Sequence, residues 1–245
     1  MSQAPGEAQA VIAGMGIAHP PSTPQDDLWE GFFTRHYRGS QQEVARRIFD
    51  HAGVRRRHAA VNPVVEDVST WSTGRRMQRY LVEAMPLGKS AVADALAAAD
   101  IDAGDIGMFA VCSCTGYVTP GLDVLLARDL GMGAATQRLF IGHMGCYAAL
   151  PGLGVVRDFA LANRRPAVLL CLELTSLHVQ PPSADVEQIV SHALFADGAA
   201  AVVVLPDGAG PSRYEVVEVA AVTDVATADH MTWDVTDLGF RMGLS

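Results

Sequence analysis

Hydrophobic positions along the chain follow two patterns, short continuous apolar runs and longer stretches with helical spacing. The apolar runs predict strands at residues 10–17, 106–114, 137–142, 166–174 and 198–205, and the first two of these are expected to be buried. More amphipathic runs predict two further strands at residues 213–225 and 239–244. Helical spacing predicts helices that open at residues 23–24 and that cover 42–52, 73–100, 120–130, 148–163 and part of 184–195. Because strands alternate with helices, the sequence predicts an α/β layered fold.

Prolines and alanines predict finer details of two of these helices. Pro86 is expected to bend the helix at 73–100, whose alanine-rich end could pack closely on a sheet. Pro151 is expected to bend the early turns of the helix at 148–163 or to delay its start, because proline lacks a backbone N–H.

Length and composition limit the class of protein. The 245 residues are 49% hydrophobic and 18% charged, which is enough for one large core or two fused halves. The net charge of −9 argues against a general nucleic-acid surface. No apolar run reaches membrane-spanning length, and the N-terminus lacks the pattern of a secretory signal. We therefore expect a cytoplasmic protein without nucleic-acid or membrane partners. It would have a flexible tail at residues 1–9 and one domain at 10–245, since the nearest approach to a linker, residues 206–212, is too short to separate domains.

The cysteines bear on metal binding and redox state. They are Cys112, Cys114, Cys146 and Cys171, and none of them forms a C-x-x-C pair. No histidine pair has zinc-finger spacing either. Reduced thiols in a cytosolic protein are favoured over disulfides or a structural metal, so we expect no metal site.

Cys146 is the strongest candidate for chemistry. It lies between the strand predicted at 137–142 and the helix predicted at 148–163, directly after Gly145. Backbone N–H groups and the helix dipole converge at such a turn and favour a thiolate, which is a usable nucleophile. Gly145 permits a tight turn and the close approach of an acyl group. The alternative is a buried, inert cysteine.

Polar residues near the ends of two strands are weaker candidates. Strand alternation places Cys112 and Cys114 on one face, where they could line a cavity or, more plausibly for Cys112, fill the core. Thr115 lies at the carboxyl end of the same strand, where open α/β sheets tend to hold their sites. Glu173 ends a very apolar strand, so its carboxylate needs hydrogen bonds or a proton, and a structural role is equally open.

Histidines and arginines leave two interpretations open. His143, His178 and His192 are possible bases, although a lone histidine is more often a structural residue. The arginines at positions 46, 47 and 55–57 form a positive cluster on an acidic protein. That cluster is either a solvated basic face or a dock for a phosphorylated ligand.

Four blocks of the sequence, in matching order and spacing, resemble the type III polyketide synthases, the chalcone synthase-like family of the thiolase superfamily. The blocks are Cys112-Ser113-Cys114-Thr115-Gly116 with Pro120-Gly121, Met144-Gly145-Cys146, Cys171-Leu172-Glu173-Leu174-Thr175, and Leu194-Phe195-Ala196-Asp197-Gly198-Ala199-Ala200-Ala201. The similarity runs from about Val11 to the end of the chain.

The resemblance implies a thiolase-like layered α/β/α fold that works as a homodimer. It implies that Cys146 is the acylated nucleophile and that Phe195 is the gatekeeper of the reaction cavity. It also implies a set of cavity-lining residues, namely Cys114, Thr115, Glu173, Thr175 and His178. Thr119 would reach into the partner subunit's cavity. Arg47 would bind coenzyme A phosphates, although His51 and Val44 stand where family members often have lysines.

The implied activity is that of an acyltransferase. An acyl-CoA starter is loaded on the cysteine and extended by decarboxylative condensation with malonyl-CoA, with no other cofactor, to release an aromatic or pyrone product. In the family, a histidine and an asparagine from the second half of the fold stabilise the enolate, and neither can be assigned in this sequence. We therefore expect a complete first half of the fold, with the second half largely absent, in a fragment of a longer protein. The alternatives are a ketoacyl-ACP synthase III-like condensing enzyme and a truncated, non-catalytic binding partner of a full-length synthase.

Overall fold

The chain divides into two units in a computed structural model that describes residues 9–206 and 214–244. Within these residues, unit 1 comprises 9–18, 84–172, 199–206 and 214–222, and unit 2 comprises 19–83, 173–198 and 223–244. The predicted tail therefore lies outside the described residues except for Gln9, as does the linker-like segment except for Pro206.

The described residues contain ten strands. They are β1 (Ala10–Ala18), β2 (Ser22–Pro24), β3 (Arg56–His58), β4 (Met108–Cys112), β5 (Gln137–Ile141), β6 (Ala167–Glu173), β7 (Gly198–Pro206), β8 (Tyr214–Glu215), β9 (Met231–Thr236) and β10 (Gly239–Leu244). The five strands predicted from apolar runs are confirmed, with shifts of one or two residues at most ends. No residue of β5 is buried, since its side chains are exposed or half-buried. The amphipathic strand predicted at 239–244 is confirmed as β10.

The α-helices of the described chain are α1 (Gln25–Leu28), α2 (Thr34–His36), α3 (Ser40–His51), α4 (Thr73–Ala99), α5 (Leu122–Leu130), α6 (Ala149–Asn163) and α7 (Val186–Leu194). A π-helical turn, Trp29–Phe33, joins α1 to α2, so the helix predicted to open at residues 23–24 begins at Gln25. Single 3-10 turns lie at Ala103–Asp105, Cys146–Ala148, Thr175–His178 and Val225–Thr227. None of the described helices is long and apolar enough to cross a membrane.

The two helix-internal prolines behave differently. Pro151 is the third residue of α6, in the first turn, where backbone N–H groups have no partner within the helix, and a 3-10 turn leads directly into that helix. Pro86 lies within α4, which continues without a break from Thr73 to Ala99.

The strand predicted at 213–225 is wrong over most of its length. Arg213 lies outside the described residues, and β8 ends after two residues, at Glu215. The N–H of Val216 still bonds to the carbonyl of Ala10, but the carbonyls of Val216 and Val217 accept hydrogen bonds from the Arg157 guanidinium of α6. These carbonyls are therefore satisfied by a side chain, and no strand ladder is needed.

Unit 1 is built around a six-stranded sheet in the order β5-β4-β6-β7-β1-β8. β4 lies parallel to both β5 and β6, whereas β1 is antiparallel to β7 and β8. Helices cover both faces of β6, because Leu169 packs in one core cluster with Val156 of α6 while Leu170 and Leu172 lie beside Gly88 of α4. This arrangement is the layered α/β/α architecture predicted from the sequence.

Close contact between α4 and β1 depends on two glycines in the strand. A Cβ atom on Gly14 would lie 2.1 Å from the carbonyl oxygen of Ala95, and one on Gly16 would lie 2.1 Å from that of Ala91. Ala91 and Ala95 are fully buried. The expected close packing of the alanine-rich end of α4 on a sheet is therefore confirmed.

Unit 2 combines helices with two small sheets. β2 pairs with β3 and β9 pairs with β10, in both cases antiparallel, and α7 packs against α3 and β10. Aromatic rings of Trp29, Phe33 and Phe49 form part of its core, with centroid separations of about 5 Å between Phe49 and the other two rings.

Candidate functional site

Cys146 lies at the start of a helix and is exposed. It is the first residue of the 3-10 turn Cys146–Ala148, which continues directly into the fifteen-residue helix α6. Gly145 has φ +75°, a conformation that side chains disfavour, and His143 has φ +60°. The turn that delivers the cysteine therefore uses backbone geometry at Gly145 that glycine adopts without a steric cost.

The neighbouring thiol of Cys112 is part of the core. It is 2% exposed, and its sulfur lies 3.5 Å from the carbonyl oxygen of Ala148. A Cβ atom on Gly152 would meet the same sulfur at 3.1 Å. The core interpretation of Cys112 is therefore confirmed, and its side chain packs against the end of the 3-10 turn at Ala148 and the first turn of α6 at Gly152.

Unit 1 also contains three other predicted site residues, on the loop after β4. Cys114 is half-buried, Thr115 is buried, and Thr119 is exposed and precedes a cis proline. The N–H of Ser113 bonds to the carbonyl of Ile141 at 3.3 Å. This bond ties the beginning of the β4 loop to the end of β5, the strand that leads to Cys146.

Unit 2 contains the remaining predicted site residues. Glu173 is the last residue of β6, Thr175 and His178 belong to a 3-10 turn, and Phe195 directly follows α7. Thr175, His178 and Phe195 line one cavity of about 50 Å³. Arg47 lies apart from this cavity, on the exposed face of α3.

His178 is a fixed part of the cavity wall. Its Nδ1 atom accepts a hydrogen bond from the backbone N–H of Phe240 at 2.9 Å, and its ring stacks on that of Phe240 at a centroid distance of 4.5 Å. The buried Arg76 guanidinium donates to the carbonyls of Leu177 and Val179 on either side. Because Nδ1 already accepts a bond, this atom cannot also act as a base in this arrangement.

His192 is buried between two partners. Its Nδ1 atom lies 2.6 Å from the Tyr37 hydroxyl, and its Nε2 atom accepts from the N–H of Gln180 at 3.1 Å. Burial is the main cause that lowers its pKa to about 3, and nearby positive groups add to the shift. His192 is therefore neutral at physiological pH, and its contacts support the structural interpretation over the role of a base.

Asp197 is a residue whose role the sequence did not show. Its buried carboxylate accepts hydrogen bonds from the N–H and the hydroxyl of Ser176, the Thr175 hydroxyl and the N–H of Ala60. Burial raises the pKa of Asp197, and these hydrogen bonds oppose the rise. Asp197 thereby links the 3-10 turn that contains Thr175 with the loop that follows β3. In the sequence, the indication that Asp197 has a role was its place in the Leu-Phe-Ala-Asp-Gly block.

The arginines of the predicted positive cluster lie in different environments. Arg46 forms ion pairs with Asp26, Glu30 and Asp50, which leaves little of its charge for a ligand. Arg55 and Arg56 are exposed, whereas Arg57 is only 8% exposed. The sequence treated these residues as one surface cluster, and the burial of Arg57 was missed.

The described residues contain no group of three or more His, Cys, Asp or Glu side chains placed to hold a metal ion. None of the four cysteines, all within the described part of the chain, is in a disulfide.

Comparisons with known proteins all place the chain in the same family. A family model described as chalcone and stilbene synthases, N-terminal domain, matches residues 1–211. The 1,3,6,8-tetrahydroxynaphthalene synthase of Streptomyces peucetius subsp. caesius is 35% identical over 209 residues, which are 84% of this chain and 54% of that protein. The phloroglucinol synthase of Pseudomonas fluorescens is 30% identical over 203 residues, 82% of this chain and 57% of that protein. The chain thus spans about half the length of these curated relatives.

Solved structures agree with this match. The crystal structure of PKS-I from the brown alga Ectocarpus siliculosus has a TM-score of 0.89 at 26% identity, covering 99% of this chain and 69% of that chain. The 1,3,6,8-tetrahydroxynaphthalene synthase from Streptomyces coelicolor, a bacterial type III polyketide synthase, has a TM-score of 0.87 at 26% identity, covering 96% and 67%. The predicted thiolase-like α/β fold is confirmed.

Proposed function

The chain belongs to the chalcone and stilbene synthase family of type III polyketide synthases, and from this membership we propose that it supplies the nucleophile of a decarboxylative condensation. The observation that supports the proposal most strongly is the exposed Cys146 at the start of a helix, within a block that resembles the family's catalytic motif. A buried Cys146 would have argued against a nucleophile, since an acyl-CoA could not reach it.

The proposed reaction begins with transfer of a starter to the cysteine. The Cys146 thiolate attacks the carbonyl carbon of an acyl-CoA, a C–S bond forms, and coenzyme A leaves as its thiolate. Malonyl-CoA then loses carbon dioxide, and the resulting enolate carbon attacks the Cys146 thioester. A carbon–carbon bond forms, and the cysteine thiolate is released for another cycle.

The other residues keep the roles that the resemblance assigns them. In the proposal Phe195 is the gatekeeper, and Cys114, Thr115, Glu173, Thr175 and His178 line the reaction cavity. Thr119 reaches into the partner subunit of a homodimer. Arg47 binds coenzyme A phosphates, and its exposure on α3 is compatible with that role. A cytoplasmic location, the single-domain organisation of residues 10–245 and the absence of a further cofactor also remain part of the proposal.

Product formation tests the proposal. The full-length protein containing this chain is incubated with an acyl-CoA starter and [14C]malonyl-CoA, and labelled products are separated by chromatography. We expect aromatic or pyrone products from the wild type and none from Cys146→Ala, whereas Cys171→Ala serves as the matched cysteine control. Product formation that survives Cys146→Ala would end the proposal. Product that requires an acyl carrier protein would favour a ketoacyl-ACP synthase III-like enzyme instead. No product, with tight binding to a complete synthase, would favour a non-catalytic partner.

A further inference from the structure

Phe195, the gatekeeper of the proposed function, is fixed by both of its backbone polar groups. It directly follows α7, and its N–H donates to the carbonyl of Ser191 at 3.1 Å. Its carbonyl accepts a hydrogen bond from Nη1 of Arg57 at 3.3 Å. The side chain is half-buried and lines the cavity of unit 2. The position of the ring in this wall therefore depends on what holds the backbone of Phe195.

Two buried side chains bind the carbonyls at the end of α7. Nη1 of Arg57 also donates to the carbonyl of His192, and Nε2 of Gln25 donates to that of Ala193 at 2.9 Å. The last carbonyls of a helix have no partner within it, and the helix dipole favours a positive charge beside them. The end of α7 is therefore capped by side chains that lie far away in the sequence.

Gln25 and Arg57 also bind each other. Nε of Arg57 donates to Oε1 of Gln25 at 2.7 Å, and the backbone N–H of Gln25 donates to the carbonyl of Arg55 at 2.9 Å. The two residues, the Gln25–Arg57 pair, are only 6% and 8% exposed. Because each side chain orients the other, a change in either one should weaken both contacts with α7.

The shape of the Arg57 side chain matters for these contacts. Burial lowers its pKa to about 10 and the charge of nearby Asp197 opposes the fall, so the guanidinium is charged at pH 7. Its planar fork reaches Gln25, His192 and Phe195 at the same time. A lysine keeps the charge, but its ammonium ends a flexible stem and cannot reproduce this geometry.

The chain after Phe195 is attached at a different place. The N–H of Asp197 donates to the carbonyl of His58 at 2.9 Å, and the Asp197 carboxylate accepts from the N–H of Ala60 at 2.7 Å. Neither bond involves a side chain of the Gln25–Arg57 pair. A change in that pair should therefore move Phe195 while Asp197 stays bound, rather than release the whole segment.

We propose that Gln25 and Arg57 are positioning residues, which fix the Phe195 ring at the cavity and so limit the length of the acyl chain that the cavity admits. They act through Phe195 and not on the reacting atoms. This role rests on the proposed function, because Phe195 is a gatekeeper only in an acyl-transferring enzyme. A less firmly held ring gives way to a longer acyl chain, so weakening the pair favours long starters over short ones.

Steady-state kinetics of the full-length protein containing this chain compare octanoyl-CoA with acetyl-CoA as starters, with malonyl-CoA as extender. We expect the ratio of kcat/KM for octanoyl-CoA to that for acetyl-CoA to rise about threefold or more in Arg57→Lys and in Gln25→Glu. Gln25→Glu retains an acceptor for Arg57 but loses the donor to Ala193, and it provides the test if Arg57→Lys does not fold. Val68→Ala changes a buried residue of unit 2 outside the cavity wall, so it controls for lost stability and should leave the ratio unchanged.

A double-mutant cycle separates positioning from a general structural role. Phe195→Ala removes the ring, so adding Arg57→Lys or Gln25→Glu to Phe195→Ala should shift the ratio no further. An equal shift in the presence and in the absence of the ring overturns the proposal. An unchanged ratio in both single variants overturns it as well.

Amide hydrogen exchange provides a measurement that needs no turnover. Peptides covering residues 192–196 should exchange about tenfold faster in Arg57→Lys and Gln25→Glu than in the wild type, but not in Val68→Ala. Unchanged exchange overturns the positioning role even if the enzyme is active. Absence of product from the wild type instead overturns the proposed function and the chain-length effect with it, while faster exchange in the variants still supports the attachment of Phe195 to the pair.

Discussion

The Nδ1 atom of the buried His192 ring lies 2.6 Å from the hydroxyl oxygen of Tyr37. Because Nε2 accepts from the N–H of Gln180, a neutral ring carries its proton on Nδ1 and donates it to Tyr37. Burial lowers the pKa of His192 to about 3 and raises that of Tyr37. Both rings are therefore uncharged in the core of unit 2 at neutral pH. Because protonation of His192 is disfavoured in the folded state, the stability of unit 2 depends on pH.

Unit 2 should lose stability in acid. The unfolded chain binds a proton at His192 below pH 6.5, whereas the folded chain does so only near pH 3, so the stability present above pH 6.5 falls as the pH falls through this window. One such histidine contributes a slope of about 1.4 kcal/mol per pH unit. His192→Gln should be less stable at pH 7 but should show a flatter dependence of stability on pH.

Tryptophan fluorescence measures this effect in the relevant unit, because Trp29, Trp71 and Trp233, the three tryptophans of the chain, all lie in unit 2. Urea unfolding is recorded between pH 4.5 and 7.5 for the wild type, His192→Gln and the exposed control His230→Gln. Equal slopes for the wild type and His192→Gln would contradict the account.

Packing of α4 on β1 predicts a large effect at Gly16. In Gly16→Ala, the added Cβ would meet the backbone oxygen of Ala91 at 2.1 Å, which a side-chain rotation cannot relieve. We expect a loss of about 3 kcal/mol in the free energy of unfolding, measured by circular dichroism in urea. Gly104→Ala is the matched control, since nothing lies within 4 Å of the added atom. The packing argument fails if the two variants are equally stable.

Asp197 should stabilise the turn that carries Thr175. Asp197→Asn replaces a carboxylate that accepts four hydrogen bonds by an amide that cannot accept all of them. We expect a loss of about 3 kcal/mol in the stability of unit 2, measured by tryptophan fluorescence in urea. Asp27→Asn, at an exposed position of α1, should change stability by less than about 0.5 kcal/mol. An unchanged midpoint for Asp197→Asn would show that these bonds contribute little.

Buried strands were the part of the fold that the sequence predicted best. Continuous apolar runs such as that of β6, Ala167–Glu173, arise because a strand that is covered on both faces has no solvent-facing side that would require polar residues. The segment after β8 was mispredicted because its alternation resembles a strand. Its carbonyls are instead bound by Arg157, a tertiary contact that no local pattern contains.

The candidate site was predicted unevenly for a similar reason. The position of Cys146 at a strand-to-helix turn follows from local patterns, and the structure places it there. Arg57 was missed because one buried arginine inside a run of exposed arginines gives no periodic signal in a three-residue strand. Its burial is set by residues far away in sequence, among them Gln25 and His192.

Peptide mass spectrometry after brief incubation with acyl-CoA tests the central proposal most directly. The account predicts an acyl adduct on the peptide containing Cys146, which hydroxylamine removes as expected for a thioester, and no adduct in Cys146→Ala. The same adduct on Cys112, Cys114 or Cys171, with Cys146 unmodified, would contradict it.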